Sequence, residues 1–423
     1  MKKFVTAIMA TICICCISCE TSESNQPDLN NAIDSETVNE SQTRGGNFAY
    51  PNNQMVVQYD PGLSEAEKQQ LRAQYGVMEI KTCPCADPTL ELWIFETQLP
   101  GGSGPNIEDR VIVAKEEDDL EGADFNPIFQ HDGLKLGTSF GPADISLGMG
   151  AMVSSNTNVT IAVLDTGVDY NYFGFSNPFL YNTQQNSQTC TDQGMEDYFG
   201  WDFVNQDNDP YDDYGHGTIV SEFINASLEE FNVPHQILPV KVFNEYGKGN
   251  YFDILCGFKY AVNNEDVDII NMSFGWYHSN YDLLGRFVEE AGEDVLIAAS
   301  AGNQGSNNDL FVHYPSSYPV DNIIAVAALG ANAPFSVSLA NYSNYGVQSV
   351  DIAAKGTDIR FHLDPNEFIL VSGTSYASSF TSAMAGMVYA PNMTVAEHVD
   401  KVIAETLYHP DLNLIKYSSY INY

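Results

Sequence analysis

The sequence predicts an α/β domain with a doubly wound, mostly parallel sheet and helices on both faces, preceded by a small α+β domain. Two observations support this prediction. From residue 159 onward, short continuous apolar runs alternate with longer segments of helical periodicity, which is typical of a parallel sheet covered on both faces. Between residues 50 and 129 the pattern instead follows the order β-α-β-β-α-β of a split βαβ unit.

Length and charge limit the partners that the chain can have. Its 423 residues, 44 % of them hydrophobic, are enough for two or three domains and exclude disorder over the whole length. Asp and Glu number 56 against 17 Lys and Arg, which gives a formal net charge of −39. Because such a chain repels phosphate, we expect no nucleic-acid partner and no electrostatic binding to anionic lipid.

The first 19 residues are predicted to be a targeting signal. Lys2 and Lys3 precede an apolar run, residues 4–17, that is shorter than the roughly 20 residues needed to span a bilayer. The run leads into Cys-Ile-Ser-Cys, which resembles a bacterial lipoprotein signal in which Cys19 becomes the lipidated first residue. Plain secretion is the alternative. Both interpretations predict a bacterial cell-envelope location, lipid-anchored or secreted, with a lipid anchor as the only contact with a membrane.

Residues 20–49 are polar and lack periodicity, which predicts a flexible tether. The small domain, residues 50–129, contains a helix that Ser64 and Glu67 open as a capping box and Gly76 closes. Its other predicted elements are strands at 55–59, 77–81, 90–95 and 123–129 and a helix through Ile107, Val111 and Ala114. Residues 130–145 form a linker before the larger domain, 146–423.

The larger domain alternates between strands and helices, as a doubly wound sheet requires. Apolar residues of each helix recur at the three- and four-residue spacing of one helix face. The predicted strands are 159–164, 237–242, 267–272, 295–299 and 323–327, and the helix faces consist of Ile219, Val220, Phe223 and Ile224 and of Ile254, Leu255, Phe258, Ala261 and Val262. In such a sheet the functional residues lie beyond the carboxyl ends of the strands.

Four polar motifs occur at such positions. Asp165, in Asp-Thr-Gly, ends the first of these strands, and His216, in Gly-His-Gly-Thr, opens a helix. Ser375, in Gly-Thr-Ser, lies in the first turn of another helix, where the dipole is positive and its own N–H can face a developing oxyanion. Asn303, in Ala-Gly-Asn, follows the strand 295–299 and offers a side-chain amide as a second donor.

The chain order of Asp165, His216 and Ser375 is the order found in subtilisin and differs from those of chymotrypsin and the α/β-hydrolases. From about residue 140 to the end, the sequence resembles the subtilase serine peptidases. The matching segments include 271–275, 314–318, 343–346 and 351–354. The segment 50–129 resembles the propeptide of that family, an inhibitory folding chaperone.

The resemblance implies a secreted or surface-anchored serine endopeptidase that cleaves protein or peptide substrates through an acyl-enzyme. Ser375 would be the nucleophile, His216 the general base and later acid, and Asp165 the carboxylate that orients it. Asn303 and the Ser375 N–H would bind the oxyanion, and this chemistry requires no cofactor. The implied substrate-binding residues are Ser273, Phe274 and Gly275 on one edge strand, Gly247 and Gly249 on the opposing one, and Gly302.

The sequence also departs from the family pattern around the nucleophile. Tyr376 stands where the family has Met, and Ser379-Phe380 stands where it has Pro-His. These changes remove no catalytic atom. They leave open the alternative of a catalytically weak or inactive lipoprotein that uses the subtilase fold to bind peptides.

An acidic loop before His216 has two interpretations. Asp207, Asp209 and Asp212 resemble calcium ligands, but the loop lacks the central Gly and terminal Glu of an EF-hand. A structural Ca²⁺ site and a solvated acidic surface therefore both remain open.

The cysteines outside the leader are too few for a disulfide-built scaffold. The residues 83–85, Cys-Pro-Cys, are typical of a turn, and no second ligand pair supports a zinc site. Cys256 lies on the apolar side of a helix, which favours a buried free thiol.

The zymogen interpretation predicts cleavage between about Gln130 and Ile145, after which the propeptide remains as a tight non-covalent inhibitor.

The segment Gly137–Gly141 also matches the sequence pattern of a nucleophile elbow. That motif requires a strand before it and a helix after it, but here Pro142 follows and no strand precedes it.

Overall fold

The computed structural model of the chain describes residues 50–83, 85–97, 105–131, 159–175, 190–192, 195–196, 199–264, 266–331 and 336–422. The predicted leader with Cys19, the tether, the linker from residue 132 onward and the segment Gly137–Gly141 lie outside these residues. Among the described residues, no helix has both the length and the apolar character needed to cross a membrane.

The N-terminal domain has the predicted order of strands and helices. A four-stranded antiparallel sheet in the order β2-β3-β1-β4 carries two helices on one face. Met55 and Val57 pack with these helices, whereas Val56, between them, faces the larger domain. The elements are β1 (Gln54–Tyr59), α1 (Glu65–Tyr75), β2 (Glu79–Cys83), β3 (Asp87–Ile94), α2 (Ile107–Ala114), β4 (Leu120–Phe125) and β5 (Ile128–Gln130).

The larger domain is built on a nine-stranded sheet in the order β20-β21-β17-β16-β14-β12-β6-β10-β9, in which only β20 and β21 pair antiparallel. Its strands are β6 (Val159–Asp165), β9 (Trp201–Asp202), β10 (His235–Lys241), β12 (Ile269–Met272), β14 (Leu296–Ser300), β16 (Ile323–Leu329), β17 (Ile352–Lys355), β20 (Leu407–Tyr408) and β21 (Ser419–Tyr420). The short pairs are β7 (Thr191–Asp192) with β8 (Met195–Glu196), β13 (Trp276–Tyr277) with β15 (His313–Tyr314), and β18 (Ile359–Asp364) with β19 (Glu367–Val371), while β11 (Lys248–Asn250) pairs with β5.

Helices cover both faces of this sheet, as predicted. Along β6, Ile161 and Val163 pack with α3 and α6, whereas Ala162 and Leu164 pack with α4 and α5. This alternation gives the parallel sheet two separate apolar cores. The helices are α3 (His216–Glu230), α4 (Tyr251–Val262), α5 (Asp282–Glu290), α6 (Thr374–Val388) and α7 (Val395–Ala404).

The predicted strand 123–129 is in fact two strands. β4 ends at Phe125, and β5 begins at Ile128 and pairs antiparallel with β11 of the larger domain. Pro127 lies at the break, and its carbonyl accepts a hydrogen bond from Tyr251 N at 2.9 Å. Local apolar patterning cannot distinguish these strands, because the partner of β5 is more than a hundred residues away in sequence.

Polar side chains of the N-terminal domain cap two helices of the larger one. Asp124 Oδ2 accepts a hydrogen bond from Leu283 N at 2.8 Å in the first turn of α5. Asn126 Oδ1 accepts one from Phe252 N at 2.9 Å in the first turn of α4. Since the first N–H groups of a helix have no partner within it, these contacts satisfy donors that the interface would otherwise bury.

Two disulfides join the domains, and they correct the prediction for the cysteines. Cys83, at the end of β2, is bonded to Cys256 of α4, and Cys85 is bonded to Cys190. The prediction of a free Cys256 thiol is therefore wrong. The prediction that residues 50–129 are held to the larger domain only by non-covalent contacts is wrong as well. The apolar face of α4 that carries Cys256 is covered by the N-terminal domain, which brings the two sulfurs together.

Candidate active site

Asp165 and His216 form a buried pair at the carboxyl end of β6. Both Asp165 carboxylate oxygens lie close to His216 Nδ1, at 2.9 and 3.0 Å, and neither side chain is exposed. Burial alone raises the pKa of Asp165, but the positive charges available on His216 and His131 hold it well below its usual range. Burial lowers the pKa of His216, and the Asp165 carboxylate partly offsets this effect.

The turn that presents His216 is held by an aspartate of the acidic loop. Asp212 Oδ1 accepts hydrogen bonds from Tyr214 N at 3.0 Å and Gly215 N at 2.7 Å. Its Oδ2 accepts one from Thr218 N at 2.8 Å. Gly215 has a φ of 108°, which favours glycine over any residue with a Cβ. The carboxylate of Asp212 therefore positions the start of α3 that carries the imidazole.

Ser375 lies in the first turn of α6, close to the same histidine. The ring of the next residue, Tyr376, is 5.6 Å from the His216 ring. Ser375 Oγ donates a hydrogen bond to the Ser273 carbonyl at 2.9 Å. His216 Nε2, which is buried, has no hydrogen-bond partner within the described part of the chain. In this state the Ser375 hydroxyl is therefore hydrogen-bonded to Ser273 and not to His216.

The Asn303 amide is fixed beside the start of α6. Its Oδ1 accepts hydrogen bonds from Thr374 N at 2.8 Å and Thr374 Oγ1 at 3.0 Å. Because both donors engage the oxygen, the side-chain NH₂ is directed away from them. A Cβ placed on Gly373 would lie 3.8 Å from Nδ2, so this donor is next to the turn that carries Ser375.

The residues predicted to bind substrate flank this group. Gly247 precedes β11 and Gly249 lies within it, and a Cβ on Gly249 would come within 2.5 Å of the Val242 carbonyl. Ser273 contacts Ser375 through both its carbonyl and its hydroxyl. Phe274 is buried with its ring 5.0 Å from that of Phe243.

Two glycines on this side have no room for a side chain. A Cβ on Gly275 would lie 2.3 Å from the His313 ring, and one on Gly302 would lie 2.6 Å from Asn344 Nδ2. Gly302 also has a φ of 102°, and its N–H donates to Thr374 Oγ1 at 3.1 Å. At both positions only the main chain of a glycine fits, so the wall of the site is formed there by backbone atoms.

The strand β5 of the N-terminal domain occupies this cleft. Gln130 pairs with Lys248, Phe129 with Gly249 and Ile128 with Asn250. The Phe129 side chain is buried, and its ring stacks on Trp276 with centroids 4.4 Å apart. A peptide segment of the chain itself thus pairs with the edge strand that was predicted to bind substrate.

The next residue, His131, reaches the buried pair. Its N–H donates to the Gly247 carbonyl at 2.6 Å, which continues the pairing with β11. Its Nε2 lies 3.8 Å from Asp165 Oδ2, and its ring centroid is 3.9 Å from that of His216. Together with Asp165 and His216 it forms the one group of potential metal ligands among the described residues. Sequence reasoning missed His131, because nothing around a lone histidine at the start of a Gly-rich linker indicates its partner.

The three aspartates predicted as calcium ligands do not converge in the described structure. Asp212 uses both carboxylate oxygens to hold the turn before His216, as described above. Asp209 Oδ1 accepts a hydrogen bond from Tyr170 OH at 2.7 Å, and Asp207 Oδ1 accepts one from Asp209 N at 3.0 Å. Calcium binding at this loop remains a prediction.

Comparison with known proteins identifies the class. Residues 156–414 match the model of the subtilase family. This match covers more than half of the chain, so the chain belongs to the subtilase family. A crystal structure of a cold-adapted subtilisin-like serine proteinase is similar to it with a TM-score of 0.51 and 22 % identity, over 63 % of this chain and 88 % of that one. At this identity the likeness shows the fold.

Named relatives include proteases from Bacillus. A cell wall-associated protease of Bacillus subtilis is 34 % identical over 55 % of this chain, and the match spans only 24 % of that relative's length. A thermophilic serine proteinase of a Bacillus species is 28 % identical over 85 % of this chain and 83 % of its own. A subtilisin of Bacillus pumilus is 29 % identical over 60 % of this chain and 86 % of its own.

Proposed function

We propose that the chain is a serine endopeptidase synthesised as a zymogen, with its substrate cleft occupied by its own strand β5. Membership of the subtilase family supports the peptidase chemistry. The observation that carries the proposal is the buried Asp165–His216 pair beside the start of α6, with a peptide strand paired along the adjoining edge. The reaction follows from the chemistry of these groups.

In the proposed reaction, Ser375 Oγ attacks the substrate carbonyl while His216 Nε2 accepts the hydroxyl proton. Asp165 fixes the imidazole with Nδ1–H donating to its carboxylate, and stabilises the imidazolium that forms. The Asn303 NH₂ and the Ser375 N–H donate to the oxyanion. His216 then returns the proton to the leaving amine, and water repeats the sequence on the acyl-enzyme.

The described state is an inhibited one under this proposal. Ser375 Oγ must turn from the Ser273 carbonyl towards His216 Nε2 before it can lose its proton. The imidazole of His131 packs on His216, and β5 fills the edge along which a substrate would pair. An incoming peptide therefore has to replace β5.

The pairing of β5 also supports a position for zymogen cleavage. Among the described residues, His131 is the last of this segment to pair with the β11 edge, and it lies against the candidate base. An extended chain advances about 3.3 Å per residue, so the bond that reaches Ser375 must follow closely. We place the cut within residues 132–135, at the start of the predicted cleavage range. N-terminal sequencing of the processed protein checks this position.

The Phe129 site supports a preference for aromatic side chains in substrates. Its ring stacks on Trp276 and lies 6.3 Å from the ring of Tyr251 and 6.1 Å from that of Tyr281. A substrate whose main chain pairs with Gly249 in the same way would place a side chain among the rings that now surround Phe129. Peptides with Phe at the fourth position before a cleaved 132–133 bond, which is the position of Phe129, should be cut faster than those with Ala there.

The test of the peptidase proposal compares the chain with its Ser375→Ala variant. The parent should process itself and hydrolyse casein, whereas the folded variant should do neither. A second candidate, a peptide-binding subtilase without turnover, is favoured by one observation: the Ser375 hydroxyl is bonded to Ser273 and not to His216. Equal casein hydrolysis by parent and variant, or none by a processed parent, would reject the peptidase proposal.

We further propose that the chain is held in the cell envelope by a lipid on Cys19. The leader composition supports this assignment. Metabolic labelling with a radioactive fatty acid should mark the parent and not a Cys19→Ala variant. Equal labelling of both would remove the anchor from the proposal.

A further inference from the structure

Both disulfides cross from the N-terminal domain to the larger domain. Cys83 and Cys256 are separated by 173 residues in sequence, and Cys85 and Cys190 by 105. The segment 132–158, which contains the proposed processing site, lies inside both disulfide loops. Any single cut within this segment therefore leaves two polypeptides that are still joined by two covalent bonds.

The Cys83–Cys256 bond is protected in the folded state, because both of its residues are completely buried. In the second bond Cys190 is 1 % exposed and Cys85 is half-buried. Reduction requires a thiolate to approach a disulfide sulfur in line, so a buried pair reacts slowly until the protein opens. Apolar residues on both sides of the interface, such as Leu92 and Phe252, share one core with the Cys83–Cys256 pair.

We propose that the N-terminal domain is a permanent, disulfide-linked subunit of the mature protein, and that activation removes only β5 from the cleft. The first part rests on the disulfides alone. The second part rests on the proposed peptidase function, because β5 blocks the candidate active site. The domain then has two separable roles, attachment at Cys83 and Cys85 and inhibition at residues 128–131.

Covalent attachment changes how inhibition can end. A tethered ligand rebinds at an effective concentration in the millimolar range, which dilution does not alter. A single cut within residues 132–135 would therefore leave β5 in place. Release requires either a second cut before Phe129, which shortens the strand, or a competing substrate strand.

Attachment also has a consequence for location. Cys19 precedes the N-terminal domain in the chain, so a lipid on it would hold both polypeptides through the disulfides. Processing and anchoring are then compatible, and the mature enzyme is not shed by its own cleavage.

The test uses the full chain with Ser375→Ala, so that its outcome does not depend on peptidase activity. The chain is expressed in an oxidising compartment with a site-specific protease sequence replacing residues 137–141, then denatured in urea with iodoacetamide and diluted for cleavage. Cut protein should migrate as one species without reductant. With dithiothreitol, which is oxidised to its cyclic disulfide as each protein disulfide becomes two thiols, it should separate into two. Separation without reductant would overturn the proposal.

Paired variants establish which bonds are responsible. Cys83→Ser with Cys256→Ser should leave the two fragments joined through Cys85 and Cys190, and the complementary pair should do the same. Cys83→Ser with Cys85→Ser should release them without reductant. Joined fragments in this last variant would show a different pairing and contradict the assignment.

The proposed inhibition by tethered β5 is tested separately, in protein that keeps Ser375. After the engineered cut, hydrolysis per molecule should stay unchanged on hundredfold dilution in the parent and rise in the variant that lacks Cys83 and Cys85. A rise of equal size in both would reject tethered inhibition. Absence of activity in both, together with disulfide-joined fragments, would reject the peptidase proposal and leave the covalent subunit standing.

Discussion

The two ends of the N-terminal domain are attached to the larger domain by different kinds of bond. At the cleft end, β5 is bound by main-chain hydrogen bonds to β11 and by the Phe129 ring on Trp276. At the other end, Cys83 and Cys85 are bonded to Cys256 and Cys190. Under the proposed function, the first set of contacts is exchanged for a substrate strand, whereas the second persists through any cut in the linker. The proposal therefore treats inhibition and attachment as separable properties of one domain.

Binding of β5 in the cleft inhibits the protein only if His216 and Ser375 beneath it act together in catalysis. Replacing His216 with Ala should reduce kcat by about 10⁴-fold or more, and His216→Ala combined with Ser375→Ala should cost no more than either change alone. Assays of peptide hydrolysis by the three variants, each cut at the engineered protease sequence that replaces residues 137–141, measure this non-additivity. His235→Ala, which removes another histidine of low pKa, should change the rate far less. Multiplied losses in the double variant would show that the two residues do not act together.

The oxyanion assignment predicts the next largest effect. Asn303→Ala should lower kcat by about 10²–10³-fold with little change in KM, the range known for such donors in this class of enzyme. Gln304→Ala, which removes an exposed amide from the adjacent position, is the matched control. If both variants lose activity equally, the effect lies in the loop and not in the Asn303 donor.

Weakening the cleft end should open the site while leaving the disulfide end intact. Phe129→Ala removes a buried aromatic ring and should destabilise bound β5 by about 3 kcal/mol, roughly a hundredfold in its occupancy. Inhibition of an unprocessed chain by its own strand should fall accordingly in a peptide-hydrolysis assay. Phe95→Ala removes a buried ring from the domain core away from the cleft and serves as the control. Equal activation by both would indicate general loosening of the domain.

Opening the cleft should also change the pKa of His216. Burial and the neighbouring His131 lower this pKa from 6.5, so the imidazole stays neutral to lower pH in the inhibited state. In Ser375→Ala protein, Phe129→Ala should raise it towards 6.5, because solvent then stabilises the charged form. Histidine NMR titration measures the shift. The pKa of His235, also lowered by burial, should not move. An unchanged His216 value would mean that β5 does not seal the site.

Calcium should have the smallest effect of the five. If Asp207, Asp209 and Asp212 bind the ion as predicted, chelation should lower the melting temperature, because an ion bound only by the folded protein stabilises it. An Asp207→Asn/Asp209→Asn variant should then melt at the same temperature with and without chelator. An unchanged melt of the parent in excess chelator would assign the loop to solvated surface.

The sequence predicts the fold class better than it predicts the contacts between the two domains. Asp165, His216, Ser375 and Asn303 lie in short motifs whose local structure follows from glycines and helix starts, and the parallel strands follow from apolar runs. The break between β4 and β5 could not be predicted, because β5 is formed by a distant partner strand. The role of His131 depends on that same pairing. An even number of cysteines outside the leader is a usable signal for two disulfides, but only the packing of the N-terminal domain against the larger one identifies the partners.

Covalent modification of Ser375 tests the central claim most directly. A fluorophosphonate probe is applied to the full chain and to a variant in which residues 128–131 are replaced by Gly-Ser-Gly-Ser, and the modified residue is located by mass spectrometry. We predict slow modification of the unprocessed chain and rapid modification of the variant, both at Ser375, with the domains still joined by disulfides in each. Equal rates would contradict inhibition by β5, and no modification of Ser375 in the variant would contradict a serine peptidase.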